Sequence, residues 1–135
     1  MLAIPTALEG RIEANALPLA IGDLLAIIAV LTYGMVDHNT FGDPGYMAMV
    51  YAPFVIGWLV AFPLIGAYSA GAAESAKAAI PLGIRAWVLA ALVGFALRWT
   101  SLFPGGLAPV FVAITLVLIG ALIGVWRWGF FKITG

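Results

Sequence analysis

Asp23 is the residue from which chemistry would start. It is the only charged side chain in the stretch Pro18 to Val30. An isolated carboxylate in hydrocarbon is costly, by at least about 2.5 kcal/mol on insertion scales, and such groups either pair or serve a pathway. The candidate partners are Arg85, near the start of the third apolar run, and Arg127, at the finish of the fourth, which alternating spans bring to one side of the membrane. A bidentate Arg–carboxylate pair offsets part of the burial cost. Asp23 is expected to face the bundle interior and contact Arg85, with Arg127 as the substitute. Such a layer can move protons or ions, or it can only hold helices in register.

A second polar layer lies about 21 Å away, 14 residues further at 1.5 Å each. It contains Asp37, His38 and Arg98. His38 near Asp37 and Asp43 could sense pH or meet a metal ion, but a lone loop histidine is ordinarily only solvated. Arg98 is expected to snorkel to the surface. No metal site and no cofactor are expected.

Much other chemistry has no residues to carry it. Cysteine is absent, so there is no disulfide, thiolate metal site or thiol nucleophile. The chain contains no HExxH, GxSxG, Walker A or GxGxxG sequence, so the common signatures of metallohydrolases, serine hydrolases and nucleotide binders are missing. One histidine cannot give a haem both axial ligands, and no span carries the arginine ladder of a voltage sensor. No catalytic residue is identified and no enzymatic activity is expected.

The elements that position these charges are legible from hydropathy. Of 135 residues, 64% are hydrophobic and only 9% charged, against about 25% charged in soluble domains. Six basic side chains balance six acidic ones, leaving no basic excess for nucleic acid. Helices need about 20 apolar residues to cross a bilayer. Four runs meet that length: 17–36, 46–68, 80–100 and 108–128. Between them lie turn-forming segments, Asp37 to Gly45, Ser69 to Ala79 and Ser101 to Leu107. Pro18, Pro81 and Pro109 fall near span starts, where the missing N–H costs little. Pro53 and Pro63 fall inside the second span and are expected to kink it. The expected fold is all-α, an integral membrane four-helix transmembrane bundle with short loops and both termini on one side. It comprises an N-terminal tail or interfacial helix (1–16, where Thr6 to Glu9 fits a capping box), a membrane domain (17–128) and a C-terminal tail (129–135).

Orientation follows from the cations. Arg11, Lys77, Arg85, Arg127 and Lys132 fall on the side of the termini, and Arg98 on the other. The positive-inside rule then puts both termini in the cytoplasm of a multi-pass cell-membrane protein. Trp87, Trp99, Trp126 and Trp128 lie near span ends, where indoles favour the interface, whereas Trp58 is mid-span and expected to pack internally. Small-xxx-small faces occur at Gly57 and Ala61, at Ala86, Ala90 and Gly94, and at Gly120 and Gly124. They allow close helix approach, within the chain in the first instance and otherwise in a homodimer or against another membrane protein. Leu17-Pro18-Leu19-Ala20-Ile21 aligns with Ile80-Pro81-Leu82-Gly83-Ile84 at a shift that also pairs Gly57 with Gly120. Either chance in apolar sequence or two parallel hairpins would produce this.

Several of these short motifs together resemble a known family. They are Gly22-Asp23, Arg85-Ala86-Trp87, Gly94 to Arg98, Pro109-Val110-Phe111-Val112 and Trp126-Arg127. The set is similar to the "domain of unknown function 3054" family of small multi-pass membrane proteins, over about residues 17–128. The resemblance implies four spans and no established activity.

Two functional readings follow. One is a small oligomeric transport or permeation protein with the Asp–Arg layer in its pathway. The other is an accessory subunit of a larger membrane complex, with the pair purely structural.

Overall fold

The computed structural model describes residues 14–104 and 106–134. The capping box at Thr6 to Glu9, and with it the first part of the N-terminal tail, lies outside the described residues. A 3-10 turn, Ala14–Ala16, leads into α1, Leu19–Asp37. Then come α2, Pro44–Ile65, the short α3, Ala70–Glu74, α4, Ala76–Trp99, and α5, Pro109–Thr134. The long helices α1, α2, α4 and α5 are each long and apolar enough to span a membrane.

Local chemistry sets the helix ends. Asp43 caps α2 by accepting from the Gly45 N–H, with Pro44 in the first turn. Gly66 ends α2 in the left-handed region, φ 88°, where a Cβ would be strained. Ser75 caps α4 by accepting from the Ala78 N–H. That cap starts α4 earlier than the apolar run does, so Pro81 lies inside the helix. α2 runs unbroken through Pro53 and Pro63.

The main contacts run from α1 to α2, α2 to α4, α4 to α5 and α5 back to α1. The helices thus form a ring in which α1 and α4 are diagonal. Close approach depends on glycine. A Cβ on Gly57 would stand 2.2 Å from the Ala90 carbonyl oxygen, and one on Gly94 would stand 2.5 Å from the Phe54 ring. The α2 and α4 backbones therefore pack at a distance only glycine permits. Ala61, Ala86 and Ala90 are fully buried. A Cβ on Gly120 would stand 3.4 Å from the Trp87 ring and one on Gly124 3.5 Å from the Ile84 side chain, so the α5 GxxxG face is turned to α4. Gly57 and Gly120, which the sequence shift pairs, thus both abut α4. A two-fold relation between hairpins would have set one of them against α1.

At mid-height the core is aromatic and aliphatic. Phe54 packs edge-on to Phe95 with ring centroids 5.5 Å apart, and lies 6.1 Å from both Trp87 and Phe111. Ile27, Ile119 and Ile123 are fully buried.

Candidate functional site: a charged clasp and an opposite cavity

At the end of the bundle where α1 begins and α5 finishes, two consecutive residues of one helix meet two of the other. Gly22 lies beneath Trp126, whose indole ring occupies the space a Cβ would need, 2.1 Å away. The Trp126 Nε1–H reaches across to donate to the Leu19 carbonyl at 2.8 Å. Next along each helix, Asp23 and Arg127 form a bidentate pair. Arg127 Nη2 donates to Asp23 Oδ2 at 2.6 Å and Nε to Oδ1 at 3.1 Å. Both side chains are fully buried.

The remaining polar capacity of the pair is used. Arg127 Nη1 donates to the carbonyls of Ala67 at 3.1 Å and Ala79 at 2.8 Å. Ala67 lies just beyond the end of α2 and Ala79 is in the first turn of α4, so one guanidinium joins four segments of the chain. Gly83 makes the passage possible, since a Cβ there would stand 2.5 Å from Arg127 Nε. Tyr68 donates its hydroxyl to Asp23 Oδ2 at 2.8 Å and receives the Trp58 Nε1–H at 3.1 Å. Burial, reinforced by the adjacent Asp23 carboxylate, pushes the Tyr68 phenol upward from its ordinary value. It therefore keeps its proton and acts as the donor at physiological pH. Every side-chain nitrogen and oxygen of the clasp thus has a partner.

Arg85 does not join this group, contrary to the expected Asp23–Arg85 contact. It is exposed on the outside of α4. Two causes act together. α1 and α4 are diagonal in the ring, and α4 buries Gly83, Ala86, Trp87 and Ala90. Arg85 is two residues from Gly83, about 200° around the helix, so it points away from the bundle. Tyr68 has the opposite history. Read as the last residue of the second span, it lies past the left-handed Gly66, where the chain turns it back into the clasp.

At the other end the helices border an open cavity of about 400 Å³. All four spans line it: α1 from Val30 to Asp37, α2 through Tyr46 and Val50, α4 through Arg98, and α5 from Val110 to Leu118. On α1 and α5 the lining stops at Val30 and Leu118, short of Ile27 and Ile119 and of the clasp beyond them.

The outer polar residues gather at this cavity. Asp37 and His38 are exposed at its mouth. Among the described residues, no three His, Asp or Glu side chains converge there. Arg98 is buried rather than snorkelling. Its Nε donates to the Gly106 carbonyl at 2.9 Å, and its guanidinium lies 3.9 Å over the Phe111 ring. The loop before α5 supplies the acceptor and α5 the aromatic face, and together they take the place of water around the charge. Trp99 and Trp128 are exposed near helix ends, whereas Trp87 is buried and donates to the Leu116 carbonyl at 3.0 Å.

The profile of one family, described as "Protein of unknown function (DUF3054)", matches residues 20–130. The chain belongs to the DUF3054 family. The match covers both the clasp and the cavity, including Gly22, Asp23, Arg98 and Arg127. No curated protein and no solved structure matches this DUF3054 chain.

Proposed function

We propose that this DUF3054 protein is a small membrane transport or permeation protein. A solute enters the cavity that all four spans line, and the Asp23–Arg127 clasp closes the opposite end. The observation that supports this is the asymmetry of the bundle, with a cavity lined by all four spans towards one end and a buried charge layer at the other. Exposed cations support an orientation. Lys77, Arg85 and Lys132 are exposed towards the clasp end, while Arg98 at the cavity end is buried. By the positive-inside rule the clasp, with both termini, faces the cytoplasm and the cavity faces out.

Flux assays test the reading. Proteoliposomes should pass protons, small anions or carboxylates faster than empty vesicles. Gly34→Trp, which fills the cavity, should remove that excess, and so should Asp23→Asn if the clasp must open during transport. Flux equal to that of empty vesicles for all three solute classes would sink the proposal. The second reading, an accessory subunit with a structural pair, is favoured by one fact. The clasp satisfies its own charges within the chain and needs no solute to explain it. That reading expects no flux and a stoichiometric membrane partner on mild-detergent purification.

A further inference from the structure

The cavity has a chemical preference written on its walls. Its body is apolar, formed by Val30, Leu31, Phe111, Ile114 and Leu118. Its volume of about 400 Å³ falls in the range of small-molecule sites, roughly 300–1,000 Å³. The buried charge on its wall is Arg98, only 6% exposed. A guanidinium has five N–H donors. The Nε–H of Arg98 is used by Gly106, and among the described residues its two terminal nitrogens make no hydrogen bond. No acidic side chain among the described residues lies within ion-pair distance of it; the salt bridge of the bundle is Asp23–Arg127. This is the reverse of Arg127, which spends its donors inside the protein.

Two further groups point the same way. Thr115 is buried, lines the cavity, and its hydroxyl makes no hydrogen bond among the described residues. The start of α5 also lines it, through Ala108, Val110 and Phe111, bringing the positive end of a 26-residue helix. The opposing charge is Asp37, at the C-terminal end of α1 across the mouth. It is exposed, so water and salt screen it more than they screen Arg98.

We infer that this cavity binds an amphipathic anion, its carboxylate or phosphate on the free edge of Arg98 and its apolar body between α1 and α5. The inference names a solute class for the proposed transport reading and rests on the same cavity. Stacking on Phe111 covers one face of the guanidinium and leaves its edge for a bidentate contact. Thr115 supplies a hydrogen bond deeper in.

Calorimetry on the full chain in phosphatidylcholine nanodiscs, with empty discs subtracted, tests this with octanoate as probe. Octanoate should bind saturably, and octylammonium of equal chain length should not. Arg98→Gln should weaken octanoate at least about tenfold, the size of one charge-assisted hydrogen bond, and Arg98→Lys should weaken it less. Equal binding of the two probes to the wild-type chain would overturn the inference without any variant having to fold. So would octanoate binding unchanged in Arg98→Gln. Repeating the titration in discs containing phosphatidylglycerol separates two sources of the same chemistry. Competition identifies a lipid headgroup as the natural occupant, and unaltered binding identifies a soluble anion; either result supports an anion site. Octanoate binding without flux leaves the site standing and removes transport, whereas flux without charge-selective binding does the reverse.

Discussion

The two ends of this bundle each bury an arginine and treat it differently. Arg127 donates to a carboxylate and two carbonyls and is fully enclosed. Arg98 donates once, leans on an aromatic ring and borders open space. A charge whose partners all lie within the chain holds segments together. A charge with donors to spare is available to something outside the chain. The first end should therefore be where stability is concentrated and the second where ligands are felt.

The largest effect should come from halving the clasp. Arg127→Met strands the Asp23 carboxylate among apolar groups, and breaking a buried pair from one side costs about 3–5 kcal/mol. Thermal unfolding in a mild detergent would register it. Adding Asp23→Leu to Arg127→Met removes the stranded charge and should recover much of the loss. A double variant no better than Arg127→Met would mean the carboxylate is not what suffers. Next come the glycines that let the clasp and the α2–α4 seam close. Gly57→Ala meets a backbone oxygen that cannot step aside, and overpacking of this kind costs about 1–3 kcal/mol. Gly22→Ala forces the Trp126 ring to move and should cost a similar amount, visible also as a shift in tryptophan emission. Unchanged unfolding of both would show that the helices do not approach as closely as described.

Tyr68→Phe is a smaller change. It removes one hydrogen bond to a charged acceptor and leaves the Trp58 N–H unpaired, together about 1–3 kcal/mol. The smallest effect belongs to Arg85→Gln. Arg85 is exposed, so its unfolding should stay within about 0.5 kcal/mol of wild type. A loss approaching that of Arg127→Met would restore Arg85 as the partner of Asp23.

The contrast between these two arginines also marks how far the sequence could be read. Hydropathy and turn residues are sufficient for four spans, because a bilayer demands length and apolarity and little else. Level was legible for one pair, since counting from span ends puts Asp23 and Arg127 on one side, and there they meet. What counting cannot supply is direction around each helix. In a soluble bundle the apolar stripe marks the inward face, but here the lipid-facing side is equally apolar and the periodicity is flat. The usable signal lay in the small residues. Ala86, Ala90 and Gly94 form the packing stripe of α4, and Arg85 is turned away from it. Arg127 continues the buried Ile119–Ile123 row of α5. Tyr68 was hidden because Gly66 ends α2 early, and an isolated glycine in an apolar run is easily read as part of a span. Arg98 was misread because its cover comes from the loop and Phe111, which a single-span reading does not bring near.

The absence of native cysteine gives a clean test of the central claim, that one end is open and the other sealed. Thr115→Cys places a thiol on the cavity wall, and Ile123→Cys places one two turns further along α5, beside the clasp. A membrane-impermeant thiosulfonate, applied to each side of oriented vesicles in turn, should label Cys at position 115 from the cavity side alone. It should leave Cys at position 123 unlabelled from both. Labelling of position 123 from either side, or protection of position 115 from both, would contradict a bundle open at one end and clasped at the other.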